Sequence, residues 1–412
     1  MCLLERMTPP GDAVAVPVVG RGDGKSAATL LPDSLGRSRC IVGHCVRASL
    51  STAVLCCLIV CVACVQGQSE VAPAPTPAGD SASRADRAQE VLELLANVDE
   101  PGCSAAVAQR GEVVWRGVQG LADLASKSPI TASTVFDIGS VSKQFTAAAV
   151  LLLRDAGKLQ LEDPLADHLT EFPGWSQQTT LAHLMHHTSG IPDYQRLLED
   201  QGFELSERTT QRQAVEALAR VRVLDFSTGS NWAYSNSNYV LLAEVVRKVS
   251  GRPLGQYLTT EIFEPLNLDM VVEPNARVPG KAVSYRDGAG QYEVVDHQWE
   301  QVGDGAIQTT PAELARWGDN YRTGEVGGAD WQAAVVADAV DVPPGPTGEK
   351  NRYGAGIVKG EKGWLGHPGG WEGFVTSFWV SPDRATSVVV ACNKYFDLTD
   401  LEKSLIEIWS PI

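Results

Sequence analysis

The chain has 412 residues, 44% of them hydrophobic, which is enough for one large globular domain or two small ones. Its 34 basic and 50 acidic residues give a formal net charge of −16. This balance excludes the basic surface that nucleic acids require, and it disfavours a cationic membrane-binding face.

The N-terminal segment, residues 1–69, predicts a leader. Residues 48–65 form an almost uncharged apolar run with several basic residues before it, which is typical of an export signal. Three alternatives remain open: a signal cleaved near residues 65–67, a lipoprotein attached to the membrane at Cys64, or an uncleaved anchor just long enough to span a bilayer. A start codon downstream of Met1 is also open. We expect an exported protein, periplasmic or bound to the cell envelope.

Residues 70–83 are rich in Pro and Ala, which predicts an extended linker, so we place the folded domain at 84–412. Seven of the nine cysteines precede this linker. Only Cys103 and Cys392 lie in the domain, which excludes a disulfide framework.

Periodicity predicts the order of elements in the domain. A helix comes first, two strands follow around the turn Arg110-Gly111, and a mainly helical stretch extends to about residue 277. Strands then return, and a helix ends the chain. This order predicts an α/β sandwich, with an antiparallel sheet flanked by helices and an all-α lobe. The predicted bounds are helices 84–97, 144–156 and 398–409, and strands 103–109, 113–118, near 364, 374–380 and 386–391.

The helix at 144–156 follows Ser140-Val141-Ser142-Lys143. A Ser three residues before a Lys places hydroxyl and amine on one side of a helical turn, as a nucleophile and its base require. The N-terminus of the helix also offers free N–H groups to an oxyanion. The alternative is a helix-capping Ser and a solvated Lys.

Two further motifs follow in polar or strand-like surroundings. Tyr234-Ser235-Asn236 lies before a helix that predicts a stop at Gly251, and its alternative interpretation is a loop Tyr with an Asn that caps this helix. His367-Pro368-Gly369-Gly370 precedes the strand 374–380, and its alternative interpretation is a turn.

In their order and spacing these motifs resemble the serine β-lactamase and penicillin-binding-protein superfamily, in the branch of class C β-lactamases, D-alanyl-D-alanine carboxypeptidases and related esterases. That family uses Ser-x-x-Lys, Tyr-x-Asn, and Lys-Thr-Gly or His-x-Gly on a sheet-edge strand. Segments 183–194, 305–317 and 353–356 are similar to the same branch. The resemblance covers about residue 85 to the C-terminus and implies the family fold, with the active site between the lobes.

The resemblance implies an exported serine hydrolase that needs no metal or cofactor. Its substrates would be D-Ala-D-Ala-type peptides, esters or β-lactams. Ser140 would be acylated with assistance from Lys143 and Tyr234, and Asn236 would position the substrate amide or the Lys. Either Lys143 or Tyr234 would need a lowered pKa to act as the base.

The third motif would line the substrate side through His367, Gly369 and Gly370, with the N–H groups of Ser140 and Gly370 as the oxyanion hole. The His in place of Lys and the following Pro368 depart from the lactamase pattern. An unperturbed His is about one quarter charged at pH 7. We therefore expect carboxylate-bearing substrates to bind more weakly as the pH rises through neutrality.

The family arrangement sets the first strand antiparallel beside the last. Cys103 opens the first strand and Cys392 closes the last, so a disulfide and two small buried thiols are both open.

No Ser lies in the Gly-x-Ser-x-Gly context of an α/β-hydrolase. His183, His186 and His187 lack metalloprotease spacing, which favours structural histidines over a zinc site. A non-catalytic envelope protein that binds peptidoglycan peptides on the same fold remains open.

Overall fold

A computed structural model describes residues 78–274, 278–288, 291–295, 297–343 and 350–410. The predicted apolar run at 48–65 lies outside these residues. No helix within the described ranges is both long and apolar enough to cross a bilayer.

Twelve α-helices occur in the described residues, several of them only four or five residues long. Their bounds are α1 Ala78–Glu93, α2 Lys143–Asp155, α3 Leu165–His168, α4 Leu181–Met185, α5 Tyr194–Glu199, α6 Gln211–Ala219, α7 Ser237–Ser250, α8 Leu254–Leu258, α9 Pro311–Trp317, α10 Asn320–Thr323, α11 Gly328–Ala337 and α12 Thr399–Trp409.

Fifteen strands occur in the same residues. Their bounds are β1 Cys103–Gln109, β2 Glu112–Gln119, β3 Leu121–Asp123, β4 Ser128–Pro129, β5 Phe136–Asp137, β6 Met270–Val272, β7 Tyr285–Asp287, β8 Tyr292–Val294, β9 Ile307–Thr309, β10 Val340–Asp341, β11 Arg352–Tyr353, β12 Val358–Lys359, β13 Leu365–Trp371, β14 Phe374–Val380 and β15 Thr386–Cys392.

An antiparallel sheet of eight strands is the centre of the fold, in the order β10-β11-β12-β13-β14-β15-β1-β2. Side chains alternate between its faces. Ala105 and Val107 of β1 pack in a cluster with α1 and α12, whereas Ala106 and Ala108 pack in the larger core with α2 and α9. Helices therefore cover both faces, as predicted.

The larger core continues into a lobe of helices α3 to α8 packed around α2 and α7. This confirms the predicted α/β sandwich with an all-α lobe. The predicted helical stretch, which opens with the helix after Ser140, also contains β6. This strand pairs with β9, and β9 pairs in turn with β5 just before Ser140, in a small three-stranded sheet that periodicity does not reveal.

For most of the long elements, the bounds predicted from local sequence signals lie within two residues of the observed bounds. The turn at Arg110 and Gly111 has positive φ angles of 51° and 83°, which suit a tight hairpin. The first helix differs, because α1 begins at Ala78 and ends at Glu93. The predicted linker is therefore wrong for residues 78–83, while residues 70–77 lie outside the described part.

Cys103 and Cys392 face each other across β1 and β15, and their sulfur atoms form a disulfide with Cα atoms 4.0 Å apart. Of the two alternatives that the sequence left open, the bridge is therefore the one present. It joins residues separated by 289 positions and closes almost the whole domain.

Candidate active site

Ser140 lies in a 3-10 turn, Gly139–Ser142, that leads directly into α2. The turn begins with Gly139 at a φ of +51°, and the Gly139 N–H donates to Asp137 Oδ1 at 2.9 Å. Ser140 is partly exposed, whereas Lys143 one turn later is fully buried. The predicted position of Ser140 at a helix N-terminus is confirmed.

Lys143 Nζ has three oxygen neighbours: Ser140 Oγ at 3.0 Å, Asn236 Oδ1 at 2.8 Å and the Asp304 carbonyl at 2.8 Å. The Asn236 and Asp304 oxygens can only accept hydrogen bonds. They therefore take both hydrogens of a neutral Lys143 amine. The remaining direction, where the lone pair lies, points at the hydroxyl of Ser140.

Burial lowers the pKa of Lys143 to about 8, against the opposing charges of Asp304 and Asp193. In water about one Lys in 2,500 is neutral at pH 7, and at a pKa of about 8 this becomes about one in ten. The lowered pKa that a base needs is therefore found at Lys143.

The ring of Tyr234 lies 4.9 Å from Lys143 Nζ. Protein atoms crowded around its hydroxyl raise the pKa of Tyr234 well above the usual value, and a hydrogen bond with Ser140 offsets this only in part. The side chain as a whole is still 38% exposed, so it faces the cleft. A base role would need the opposite change in pKa.

Asn236 occupies the N-cap position of α7, but its side chain makes no capping hydrogen bond, so the alternative interpretation of a side-chain cap is wrong. Its Oδ1 atom accepts from Lys143, and its N–H donates to Asp193 Oδ2 at 2.7 Å. Asp193 also accepts from the Gln195 N–H at the start of α5, at 2.9 Å. The Asp193 carboxylate thus fixes the backbone from which Asn236 reaches Lys143.

The His187 ring packs against the Tyr234 ring, with ring centroids 4.4 Å apart. Its Nδ1 lies 3.2 Å from the Ser235 N–H and 3.0 Å from Asn238 Nδ2. Burial lowers the pKa of His187 well below the usual value, so the ring is neutral.

His183 belongs to the capping box of α4 with Thr180. Within the described residues no cluster of His, Cys, Asp and Glu side chains could hold a metal ion.

The third motif lies within β13, so the alternative interpretation as a turn is wrong. β12 pairs only with Leu365 and Gly366, and from His367 onward β13 lies against the Ser140 turn. The expected sheet-edge position therefore holds only for β13 from His367 onward. Leu365 and Gly366 at the start of β13 lie between the described strands β12 and β14. A Cβ on Gly369 would overlap the Ile138 carbonyl oxygen, and one on Gly139 would lie 2.7 Å from the Gly370 nitrogen.

The His367 side chain points into the protein and is 3% exposed. Its Nδ1 lies 2.5 Å from the Pro368 carbonyl, which can only accept, so Nδ1 carries the hydrogen. The Tyr353 hydroxyl then donates to Nε2 at 3.0 Å. Burial and the charge of Lys143 lower the pKa of His367 to about 3. The expectation that a partly charged His367 reads a substrate carboxylate near neutral pH is therefore wrong.

The Beta-lactamase family model matches residues 88–409, which is most of the chain. The chain belongs to the beta-lactamase family. This confirms the superfamily that the three motifs indicated.

Penicillin-binding protein 4* of Bacillus subtilis is 26% identical over 341 residues, covering 77% of this chain and 74% of that protein. A D-aminopeptidase of Brucella anthropi is 27% identical over 314 residues, covering 75% of this chain but only 59% of the relative. The crystal structure of a D-stereospecific amidohydrolase from Streptomyces sp. superposes with a TM-score of 0.65 at 25% identity, covering 78% of this chain and 97% of that one. This beta-lactamase-family chain is thus a serine hydrolase. The alternative that the sequence left open, a non-catalytic envelope protein on the same fold, is therefore wrong.

Two residues of this beta-lactamase-family site had no role assigned from the sequence. Tyr353, the partner of His367, opened the similar segment at 353–356, and Asp304 directly precedes the similar segment at 305–317. The Asp304 carboxylate is buried, accepts from the Tyr194 hydroxyl at 3.1 Å and has a pKa raised to about 6 by burial. The only signal in the sequence is the position of Tyr353 within one of these segments and of Asp304 next to the other.

Proposed function

We propose that this chain is an exported serine amidohydrolase that cleaves amides of D-configured amino acids through an acyl-enzyme at Ser140. The observation that carries the mechanism is the set of three oxygens around Lys143 Nζ, which directs the amine at the nucleophile. The Brucella anthropi relative is a D-aminopeptidase and the Streptomyces relative a D-stereospecific amidohydrolase, which supports the substrate class.

In the first step, neutral Lys143 takes the proton of Ser140 while Oγ forms a bond to the substrate carbonyl carbon. The π electron pair moves to the carbonyl oxygen, which accepts hydrogen bonds from the backbone N–H groups of Ser140 and Gly370. Asn236 Nδ2, whose contact to Gln195 is long at 3.4 Å, turns to the acyl side of the substrate.

In the second step, the tetrahedral intermediate collapses and the carbon–nitrogen bond breaks. Tyr234 keeps its proton in the resting enzyme, so we assign it to this step: its hydroxyl protonates the leaving nitrogen and recovers a proton from the Lys143 ammonium. Water then attacks the acyl-enzyme with Lys143 again as base, and this releases the acid and Ser140.

The leaving side of the substrate is uncharged in this proposal. His367 is neutral and bonded to Tyr353, and Lys143 is buried behind Ser140. The motif residues therefore offer no exposed cation to a terminal carboxylate, which disfavours carboxypeptidase and β-lactam substrates.

The test is a panel of D-alanine and L-alanine p-nitroanilides, D-alaninamide, D-Ala-D-Ala and a β-lactam, with Ser140→Ala as the blank. We expect kcat/KM to be highest for the neutral D-amides. Equal rates for D- and L-amides, or a preference for the free dipeptide acid, would overturn the substrate assignment while leaving the acyl-enzyme mechanism intact.

The proposed export is supported by the apolar run at 48–65 and by the disulfide, which persists in oxidising compartments. N-terminal sequencing of the mature protein from an expressing bacterium separates the alternatives. A new N-terminus near residues 64–67 is expected, and an intact leader in the cytoplasmic fraction would contradict export.

A further inference from the structure

Asp304 lies in a loop that hydrogen-bonds on one side to α2 and on the other to the Ser140 turn. The Thr146 hydroxyl donates to the Gly303 carbonyl at 2.7 Å, and the Ile307 N–H donates to Ser142 Oγ at 3.2 Å. Between these ties, the Asp304 carbonyl accepts from Lys143 at 2.8 Å. The backbone alone therefore accounts for the contact with Lys143, and any residue could supply that carbonyl.

The side chain of Asp304 has no part in the mechanism derived above. It is 7% exposed, and its Oδ2 atom accepts from the Tyr194 hydroxyl. Burying a carboxylate is unfavourable, and an Asn would accept the same hydrogen bond without that penalty. A charge retained here at such a cost requires an explanation beyond packing.

The groups around it indicate what the charge does. This carboxylate belongs to the residue whose carbonyl lies 2.8 Å from Lys143 Nζ, so its charge and the amine share one buried site, with Asp193 as a second acid. Lys143 in turn has polar, charged or aromatic neighbours from every surrounding element, namely Ser140, His187, Asp193, Tyr234, Asn236, Tyr239, Asp304 and His367.

Acylation adds a positive charge to this buried site, because Lys143 becomes an ammonium when it takes the Ser140 proton. A new charge in a buried site is stabilised by an opposite charge already fixed nearby. We propose that the Asp304 carboxylate is a positioning residue for acylation, which stabilises the ammonium that Lys143 forms and stays ionised throughout. The proton moves only between Ser140 and Lys143, and Asp304 neither gains nor loses one.

This inference rests on the proposed role of Lys143 as the base. Asp304→Asn removes the charge but keeps an oxygen for Tyr194, and Asp341→Asn on the exposed strand β10 is the matched control. The readouts are kcat/KM against pH for a neutral amide substrate, and the melting temperature. Wild type should lose activity below about pH 8, as Lys143 is protonated.

We expect Asp304→Asn to lower the plateau of kcat/KM by roughly tenfold or more and to move the acid limb down by about one pH unit, because a weaker base is also less easily protonated. The Asp341→Asn profile should match wild type. A lower plateau with an unmoved acid limb would show a merely structural role and overturn the inference, and so would an unchanged profile.

A second variant covers a failure of Asp304→Asn to fold. Tyr194→Phe removes one hydrogen bond and no charge, so the Asp304 carboxyl keeps its proton to a higher pH. The acid limb should then move in the same direction by a smaller amount, and an unmoved limb would overturn the inference. If wild type itself shows no acid limb near pH 8, the assignment of Lys143 as base fails first.

Discussion

His367 Nε2 lies 3.0 Å from the Tyr353 hydroxyl, and both side chains are buried. The bond joins β11 to β13 and holds the imidazole of the third motif in a buried position. A neutral ring fits this position because it accepts from Tyr353 and donates to the Pro368 carbonyl. A cation in the same place would be disfavoured by its burial and by the charge of Lys143.

His367→Lys should therefore destabilise the protein. Lys cannot accept from Tyr353, and its buried ammonium would lie near Lys143, so we expect a loss of about 3 kcal/mol or more in the free energy of unfolding. Denaturant unfolding measures this. His168→Lys is the control, since a Lys there can keep the contact with Asp163 at 3.1 Å. Equal stability of the two variants would contradict the buried, neutral His367.

Gly369 is required by the close approach of β13 to the Ser140 turn. Its missing Cβ leaves room for the Ile138 carbonyl oxygen, whereas a Cβ on Gly370 would come no nearer than 3.9 Å to the Phe374 oxygen. Gly369→Ala should lower the free energy of unfolding by at least about 2 kcal/mol, and Gly370→Ala by less than about 1 kcal/mol. Thermal melting of both variants tests this difference. If Gly369→Ala were no more destabilising than Gly370→Ala, the close approach of β13 to the Ser140 turn would be contradicted.

The disulfide should contribute strongly to stability because it closes a loop of 289 residues. The chain-entropy estimate for such a loop is about 3–5 kcal/mol. We expect the double variant Cys103→Ala and Cys392→Ala to lose that amount of unfolding free energy, measured by denaturant unfolding. Peptide mapping after alkylation of unreduced protein is the accompanying check, and free thiols at both positions would show that the bridge does not form.

Glu402 of α12 gives the stability a pH dependence. Burial raises the pKa of its carboxyl from 4.5 to about 7, although Trp379 donates a hydrogen bond to it. Between these two pH values the folded state keeps a proton that the unfolded state has already released. Stability should therefore fall as the pH rises from about 4.5 through 7, by about 1–3 kcal/mol. Glu402→Gln should remove this fall. Melting curves at pH 5 and pH 8 test it, and a wild-type minus variant difference that is the same at both values would contradict it.

The elements that sequence predicted well are those with local signals. Strand β14 has the predicted bounds, and the Arg110-Gly111 turn and the Gly251 stop lie where their backbone requirements put them. The Ser140, Lys143 and Asn236 contacts followed from family spacing. In each case the residues concerned carry the information themselves.

Contacts between distant segments were not accessible in the same way. Asp304 lies 161 residues from Lys143, and Tyr353 belongs to a two-residue strand with no periodic pattern. The sequence does not predict the charge of His367, because the pKa of an isolated imidazole does not hold for a ring that the fold buries. Burial and partners decide such pKa values, and both arise only from the packed structure.

The covalent intermediate is the most direct test of the central claim. The protein is mixed with a D-alanine p-nitrophenyl ester, quenched in acid within milliseconds to seconds, and digested for mass mapping, with Ser140→Ala alongside. We expect one acyl group on the peptide that contains Ser140 in the wild type and none in the variant. An adduct on another residue, or equal turnover by Ser140→Ala, would contradict the account.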